Sequence, residues 1–230
     1  MAIDQETKKD WLTNFRGATL KLHPTFGNPK VCHMFDRNFN NLGRNGFFMS
    51  VRGRVVLGEA VADEAEKLIY SRMEEQTKSV ENKIKWCHKI LADEAIVDLA
   101  SYENAQEYVA TVVSPVQKRY IELLRKCDEL FVLLSTLMLH GAISESEHSK
   151  NELQIKKHMR AVPSAMRKLT IALGVKMRAQ SEADRAKLAA TTAAAPDAAN
   201  DAKAEKADTA AATGAPETPA ETPADVAIAA

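Results

Sequence analysis

Apolar residues recur at helical spacing along most of the chain. From 61 to 91 they follow steps of three and four residues, and a wider apolar stripe runs from 116 to 139. Such a period places apolar side chains on one face of each turn, so both segments are predicted to be amphipathic helices. Because the second stripe is nearly continuous, we expect its helix to be the central and most buried one.

Capping patterns mark where the later helices begin. The sequences SPVQ at 114–117 and SESE at 144–147 each place a serine three residues before a glutamine or glutamate, which is the pattern of a capping box. Pro163 is expected to kink or end the helix that starts at 144–147, because proline lacks the N–H that a helix interior needs. A further helix is predicted after it.

Near the N terminus the period changes to two. TLKLH (19–23) alternates, EYVATVV (107–113) is a short apolar run, and both are predicted strands. Residues 28–46 are rich in Asn, Gly and Arg and are predicted to form loop and turn. NGFFMSVRGRVV (45–56) is then a predicted strand that follows an Asn-Gly turn. One face of that strand would carry Ser50, Arg52 and Arg54, and the other Met49, Val51 and Val55.

The charge of the chain is balanced overall and uneven locally. Lys and Arg number 31, and so do Asp and Glu. Between residues 11 and 58, however, seven basic residues stand against the single acid Asp36, a balance of +6, and an acidic stretch follows. The seven are Arg16, Lys21, Lys30, Arg37, Arg44, Arg52 and Arg54. A basic segment of this kind favours an anionic partner even in a neutral protein.

The sequence carries no recognisable catalytic signature. It has no phosphate-binding glycine loop, no GxSxG and no HExxH. His23, Cys32 and His33 come nearest to a metal cluster, but they lack the paired spacing of a structural zinc site. We therefore predict a protein that is not an enzyme and has no metal site, no cofactor and no small-molecule substrate.

Composition sets the expected boundaries. Residues 1–10 are predicted to be flexible, 11–180 to form a single helical domain, and 181–230 to be a disordered tail rich in Ala and Pro. The Ala-rich stretch around 179–195 is also compatible with an extension of the last helix. Three widely spaced cysteines and the absence of a long apolar run predict a cytoplasmic protein that does not enter a membrane.

Three segments together resemble one known family. They are TLKLHPTF (19–26), EAEKLIYSRMEEQ (64–76) and SPVQKRYIELLRKCDELFVLLSTLMLHGAIS (114–144), with Glu74, Glu75, Asp128 and Gly141 inside them. This succession is similar to the AcaB-like transcriptional regulators of conjugative plasmids and integrative conjugative elements. The resemblance spans 18–175 and implies ribbon-helix-helix-like DNA binding, with activation of conjugative-transfer genes.

The resemblance and the alternating strand lead to one hypothesis of fold and function. The fold would be mainly α with a short N-terminal β ribbon, forming a ribbon-helix-helix-like dimeric core with extra helices. Each chain would donate a strand to an antiparallel ribbon that enters the major groove of double-stranded DNA. Because such a ribbon needs two chains, the hypothesis requires a homodimer.

Two strands compete for the role of ribbon, and the sequence does not choose between them. The first candidates for base contacts are Ser50, Arg52 and Arg54, and the second are Lys21 and His23 on the 19–23 strand. The helix after the 45–56 segment begins with acids, which repel phosphate. Phosphate contacts are therefore expected from Arg16, Lys30, Arg37 and Arg44.

Two other hypotheses stay open. The chain could be a non-catalytic adaptor or structural protein of the conjugation machinery that binds a protein partner through its apolar helical stripes. It could also read DNA through a helix-turn-helix at 141–162, where Lys150, Lys156, Lys157 and Arg160 are interspersed with glutamates. That mixture of charges is more typical of a solvated face.

Overall fold

The computed structural model describes Leu12 and residues 15–193, with side chains up to residue 190. Helices make up most of this part of the chain. They are α1 (Pro29–Phe47), a π-helical segment (Phe48–Gly53), α2 (Arg54–Leu57), α3 (Glu59–Asp93), α4 (Pro115–Leu139) and α5 (Glu145–Ala193). The mainly α class predicted from the periodicity is confirmed. No helix among these residues combines the length and apolarity needed to cross a membrane.

Two small antiparallel sheets lie beside the helices. Strand β1 (Leu20–Leu22) pairs with β4 (Ala110–Val112), and β2 (Thr25–Phe26) pairs with β3 (Gln106–Glu107). The strands expected at 19–23 and 107–113 are therefore confirmed. They pair with each other inside one chain, with Lys21 opposite Thr111, and this pairing ties the N-terminal segment to the start of α4.

Helix α4 forms the centre of the core, as its continuous apolar stripe predicted. Thirteen of its residues are buried, and they face more than one neighbouring helix. Helix α3 packs along it with a buried stripe that repeats every 11 positions: Ala62, Met73 and Ile84; Ala65, Gln76 and Cys87; Ile69, Val80 and Leu91. That repeat, about 3.67 residues per turn, is close to the period of a straight helix, so one face of α3 stays in contact over its length.

Residues 28–46, predicted to be loop and turn, form helix α1. Pro29 occupies the first helical position, and the Asn28 side chain accepts a hydrogen bond from the Lys30 N–H at 2.8 Å, which caps the helix. The Asp128 carboxylate on α4 accepts hydrogen bonds from the backbone N–H groups of Gly27 and Asn28 at 2.9 and 2.8 Å. The acid therefore satisfies two N–H groups at the start of α1, and its negative charge interacts favourably with the positive end of the helix dipole.

Glycines let α1 approach α4 closely. A Cβ on Gly43 would collide with the buried Gln117 amide, and a Cβ on Gly46 would lie 2.8 Å from the Ser114 hydroxyl. Gln117 accepts a hydrogen bond from the Val113 N–H at 2.8 Å and donates one to the Phe39 carbonyl at 3.3 Å. The expected capping box at 114–117 is therefore not formed, since the Ser114 side chain makes no cap hydrogen bond and Gln117 joins two elements instead.

The 45–56 segment is not a strand, so the prediction of a β ribbon there was wrong. The π-helical segment and α2 continue directly from α1. Met49 is fully buried, but Val51 and Val55 are 44% and 82% exposed, so the apolar face that alternation predicted does not exist. The buried positions instead continue the helical period of α1: Val31, Phe35, Phe39, Leu42, Gly46 and Met49.

Helix α5 begins with a capping box and does not end at its proline. The Ser144 hydroxyl accepts from the Glu147 N–H, and the Glu147 carboxylate accepts from the Ser144 N–H, as predicted. The sequence predicted that the helix would kink or end at Pro163. The helix does not end there, and Pro163 lies inside it. Because Pro163 has no N–H, the Met159 carbonyl four residues earlier has no helical donor, and the buried Tyr120 hydroxyl donates to it at 3.1 Å.

Helix α5 also continues through 181–193, a range that the sequence assigned to the tail. The predicted disordered tail over 194–230 and the predicted flexible N terminus over 1–10 lie outside the described residues. By its internal contacts the chain divides after Lys187, and the following unit is described only where α5 ends.

Candidate nucleic-acid interface

A long groove of about 770 Å³ lies between α1 and α5. Arg37 and Arg44 line it from α1, and Arg160 and Arg167 line it from α5. The rest of the lining is uncharged. Its polar residues are Asn38, Asn41 and Asn45 on α1 and Ser164 and Thr170 on α5, and its apolar residues are Met34, Leu42, Pro163 and Ile171. We call this feature the arginine groove.

Helical spacing explains why the four guanidinium groups meet in one groove. Arg37 and Arg44 are seven residues apart, and so are Arg160 and Arg167. Seven residues make about two helical turns, so each pair lies on one face of its helix with roughly 10 Å between its members. Two facing helices with the same spacing therefore place arginines along both rims of the groove.

No carboxylate lines the arginine groove within the described part of the chain. None of the four arginines forms an ion pair there. Some surface cations elsewhere are paired: Lys126 contacts Glu81, and Arg72 lies 2.8 Å from Glu75. Guanidinium groups offer five N–H donors in a planar fork, a geometry that matches phosphate oxygens.

Side chains between the arginines add neutral hydrogen-bonding groups. Asn38 donates to the Met34 carbonyl at 3.0 Å, and Thr170 donates to the Met166 carbonyl at 2.9 Å, so both are held against their own helices. Amide and hydroxyl groups of this kind bind phosphate oxygens and base edges alike. The groove therefore combines charge for a polyanion with neutral groups that can contact its sugars and bases.

Two of the nine predicted DNA-binding residues, Arg37 and Arg44, lie in the arginine groove. A third, Lys30, is at the N-terminal end of α1, where its ammonium group pairs with Glu152 of α5. Partial burial lowers the pKa of Lys30, and the neighbouring charge of Lys156 lowers it further. The ion pair with Glu152 offsets the charge of Lys30, whereas the groove arginines form no ion pair among the described residues.

The predicted base-reading set Ser50, Arg52 and Arg54 does not form one surface. Side chains two residues apart on a helix are separated by about 200° around its axis, so Arg52 and Arg54 face different directions. Arg54 donates to Asp63 at 2.5 Å and lies 3.5 Å from Glu66. The hydrogen bond to Asp63 raises the pKa of the Arg54 guanidinium, followed by the charge of Glu66. Ser50 is half-buried in the π-helical segment.

The second predicted set, on the 19–23 strand, is exposed but is not part of the groove. Lys21 lies in β1 opposite Thr111 of the same chain. His23 Nδ1 lies 3.5 Å from the Glu107 carboxylate. Arg16 is exposed in the segment that precedes β1. These residues remain accessible, and none of them lines the arginine groove.

Sequence analysis did not identify Arg167, and it attributed Arg160 to a solvated face. The sequence did indicate a basic surface on this helix, because residues 153–181 contain seven Lys and Arg residues and no acid. The expected break at Pro163 hid the seven-residue spacing of the two arginines. Because α5 is continuous, the seven-residue spacing places both arginines on one face of the helix.

One comparison with known proteins bears on the fold. No family model matches the sequence, and no curated protein matches it at a significant level. A solved structure with a similar fold is the selenomethionine-containing crystal structure of AcaB from uropathogenic E. coli. The two structures align with a TM-score of 0.67 at 17% sequence identity, over 72% of this chain and 86% of that one. At this identity the likeness shows the fold alone: this chain is similar in fold to AcaB.

Proposed function

We propose that this protein is a DNA-binding transcriptional regulator that holds the phosphodiester backbone of double-stranded DNA in the arginine groove. The observation that carries the proposal is the set of four arginines on two facing helices, with no carboxylate partner among the described residues. Phosphate contacts of this type supply most of the affinity of DNA-binding proteins and fix their position on the duplex.

The proposal keeps the regulatory role but changes the binding mode. The family-like segments imply control of conjugative-transfer genes, and the AcaB-like fold supports the same family. The binding surface is now formed by two helices of one chain, so a two-chain β ribbon is no longer needed. A homodimer remains a prediction, which light scattering on the purified protein would test.

Fluorescence anisotropy with labelled duplexes tests the proposed function. Random 30-base-pair DNA and a duplex pool selected for binding would be titrated at two salt concentrations, beside RNA duplexes of the same sequences. We expect DNA binding that weakens with salt, with a slope near −3.6 for about four phosphate contacts. The selected pool should bind more tightly than random DNA. Absence of binding at low salt, or preference for RNA, would overturn the proposal.

A protein-binding adaptor remains the second candidate because several apolar side chains are exposed on α2 and α5. Val55 is 82% exposed, Ile171 59% and Val175 61%. Exposed apolar clusters of this kind are typical of protein interfaces. Replacement of Val55 and Val175 by serine would weaken capture of a partner protein in the adaptor case. It would leave DNA anisotropy unchanged if the arginine groove binds DNA.

A further inference from the structure

A second and smaller cavity, of about 310 Å³, lies among α3, α4 and α5. Its volume falls at the lower end of the range for small-molecule sites. One side chain from each helix forms the apolar part of its wall: Val80, Leu130 and Ile155, which are at most 1% exposed. These three side chains are almost fully covered by their neighbours, so they lie behind the cavity, and its accessible lining comes from the other residues.

An indole and an ammonium group lie together at this cavity. Trp86 is 37% exposed although it neighbours buried residues of α3, and the Lys83 Nζ lies 3.6 Å from the centroid of its ring. Lys83 forms no ion pair with a carboxylate among the described residues. A lysine over a ring face still has N–H groups to donate, so this charge is available to an anion.

The polar groups of the cavity are held in place by hydrogen bonds. Nδ1 of His158 lies 2.7 Å from the Gln76 amide oxygen, so this nitrogen carries the proton. Nε2 is then left to accept a hydrogen bond from the Ser79 hydroxyl at 3.4 Å. Burial lowers the pKa of His158, and the charge of Arg72 lowers it further, so both effects favour the neutral ring. A network of this kind fixes the side chains before any ligand arrives.

The charge of the lining selects among ligands. Apart from neutral His158, Lys83 is the one ionisable side chain that lines the cavity in the described structure. The other polar groups are the amides of Asn82, Asn151 and Gln154. One cation, a partly exposed indole and several neutral hydrogen-bonding groups together match a small, flat molecule with one negative charge.

We propose that this cavity is a binding site for a small planar monocarboxylate. Its ring stacks on Trp86, its carboxylate accepts hydrogen bonds from Lys83, and amide groups bind its polar edge. The site is separate from the arginine groove and does not depend on DNA binding.

A titration followed by NMR tests the site. In the Trp11→Phe protein, Trp86 gives the one indole N–H signal, because the chain has two tryptophans. Benzoate and nicotinate serve as probes, with benzamide and nicotinamide as uncharged matches. We expect the indole signal to shift saturably with the carboxylates, with a Kd of about 1 mM or lower, and the amides to bind at least about tenfold more weakly.

Variants of two lysines on the same helix provide the control. Lys83→Gln should weaken carboxylate binding by about tenfold or more, while Lys85→Gln, on an exposed position outside the cavity, should leave it unchanged. Circular dichroism confirms that both variants are folded. Absence of a saturable shift up to about 10 mM probe overturns the site. Equal binding of acids and amides, or equal effects of the two substitutions, overturns the role of Lys83 and with it the proposal.

Discussion

Two regions of this protein present arginines in helices, and their surroundings give those arginines opposite roles. In the π-helical segment and α2, Arg54 lies against the first turns of α3 and pairs with Asp63 and Glu66. In the arginine groove, Arg37 and Arg167 face a lining without carboxylates. The comparison shows that the local supply of acids, rather than the density of arginine, decides which guanidinium groups remain available to a partner.

The sequence explains this difference. A single residue, Gly58, separates α2 from α3. The first turns of α3 carry acids, whose negative charge interacts favourably with the positive end of the helix dipole. Those acids neutralise the arginine that precedes them. The groove is built instead from two acid-free stretches, 37–58 and 153–181.

Charge reversal in the arginine groove should have the largest effect on DNA binding. The double variant Arg37→Glu with Arg167→Glu removes two phosphate contacts and adds two repulsive charges, so Kd should rise by about 100-fold or more. Anisotropy with a 30-base-pair duplex measures it. The control is Lys85→Glu with Lys89→Glu, which changes net charge equally on the exposed surface of α3. Equal losses in both variants would mean that only net charge matters.

Asp128 should contribute most to holding the groove in shape, because it anchors the start of α1. Asp128→Ala leaves the N–H groups of Gly27 and Asn28 without their acceptor, and we expect the free energy of unfolding to fall by about 3 kcal/mol. Urea unfolding followed by circular dichroism measures the loss. Glu122→Ala, an exposed acid on the same helix, should change stability by less than about 0.5 kcal/mol. Similar losses would show that the anchor is unimportant.

The close approach of α1 to α4 predicts a smaller loss of stability. Gly43→Ala pushes a methyl group into Gln117, which cannot move without breaking its bonds to Val113 and Phe39. We expect a destabilisation of about 1–2 kcal/mol in urea unfolding, although alanine favours helices. Gly174→Ala, where a Cβ meets open space, should instead stabilise α5 by about 0.5–1 kcal/mol. A stabilising Gly43→Ala would contradict the packing described.

The smallest effect is expected for the paired arginine. Arg54→Ala removes a side chain that is already bound to Asp63 and Glu66, so the Kd for duplex DNA should change by less than about twofold. The same anisotropy assay measures it, with Arg44→Ala as the matched arginine of the groove. A larger loss for Arg54→Ala than for Arg44→Ala would reverse the comparison between the two regions.

Much of the fold could be predicted from the sequence, because long helical periods are robust. The helices at 59–93 and 115–139, the capping box at 144–147 and the strands at 19–23 and 107–113 all follow from local pattern. Helix α1 was missed because its asparagines and glycines are typical of loops, and those glycines are explained only by contact with Gln117 and Ser114 on α4.

The candidate site was only half predictable, for a related reason. Arg37 and Arg44 were found from the basic bias of the first quarter of the chain. Their partners on α5 required a helix that continues through Pro163, which depends on the Tyr120 hydroxyl satisfying the Met159 carbonyl. Such a long-range hydrogen bond leaves no trace in local sequence.

The salt dependence of DNA binding tests the central claim most directly. The logarithm of the association constant would be measured against the logarithm of salt concentration for three proteins. They are the unmodified chain, Arg37→Ala with Arg167→Ala, and Arg54→Ala with Arg72→Ala, whose two arginines are paired with acids. If the arginine groove holds phosphates, the first double variant lowers the magnitude of the slope by about 1.8, and the second leaves it unchanged. A slope that falls only in the Arg54 and Arg72 variant would contradict the account.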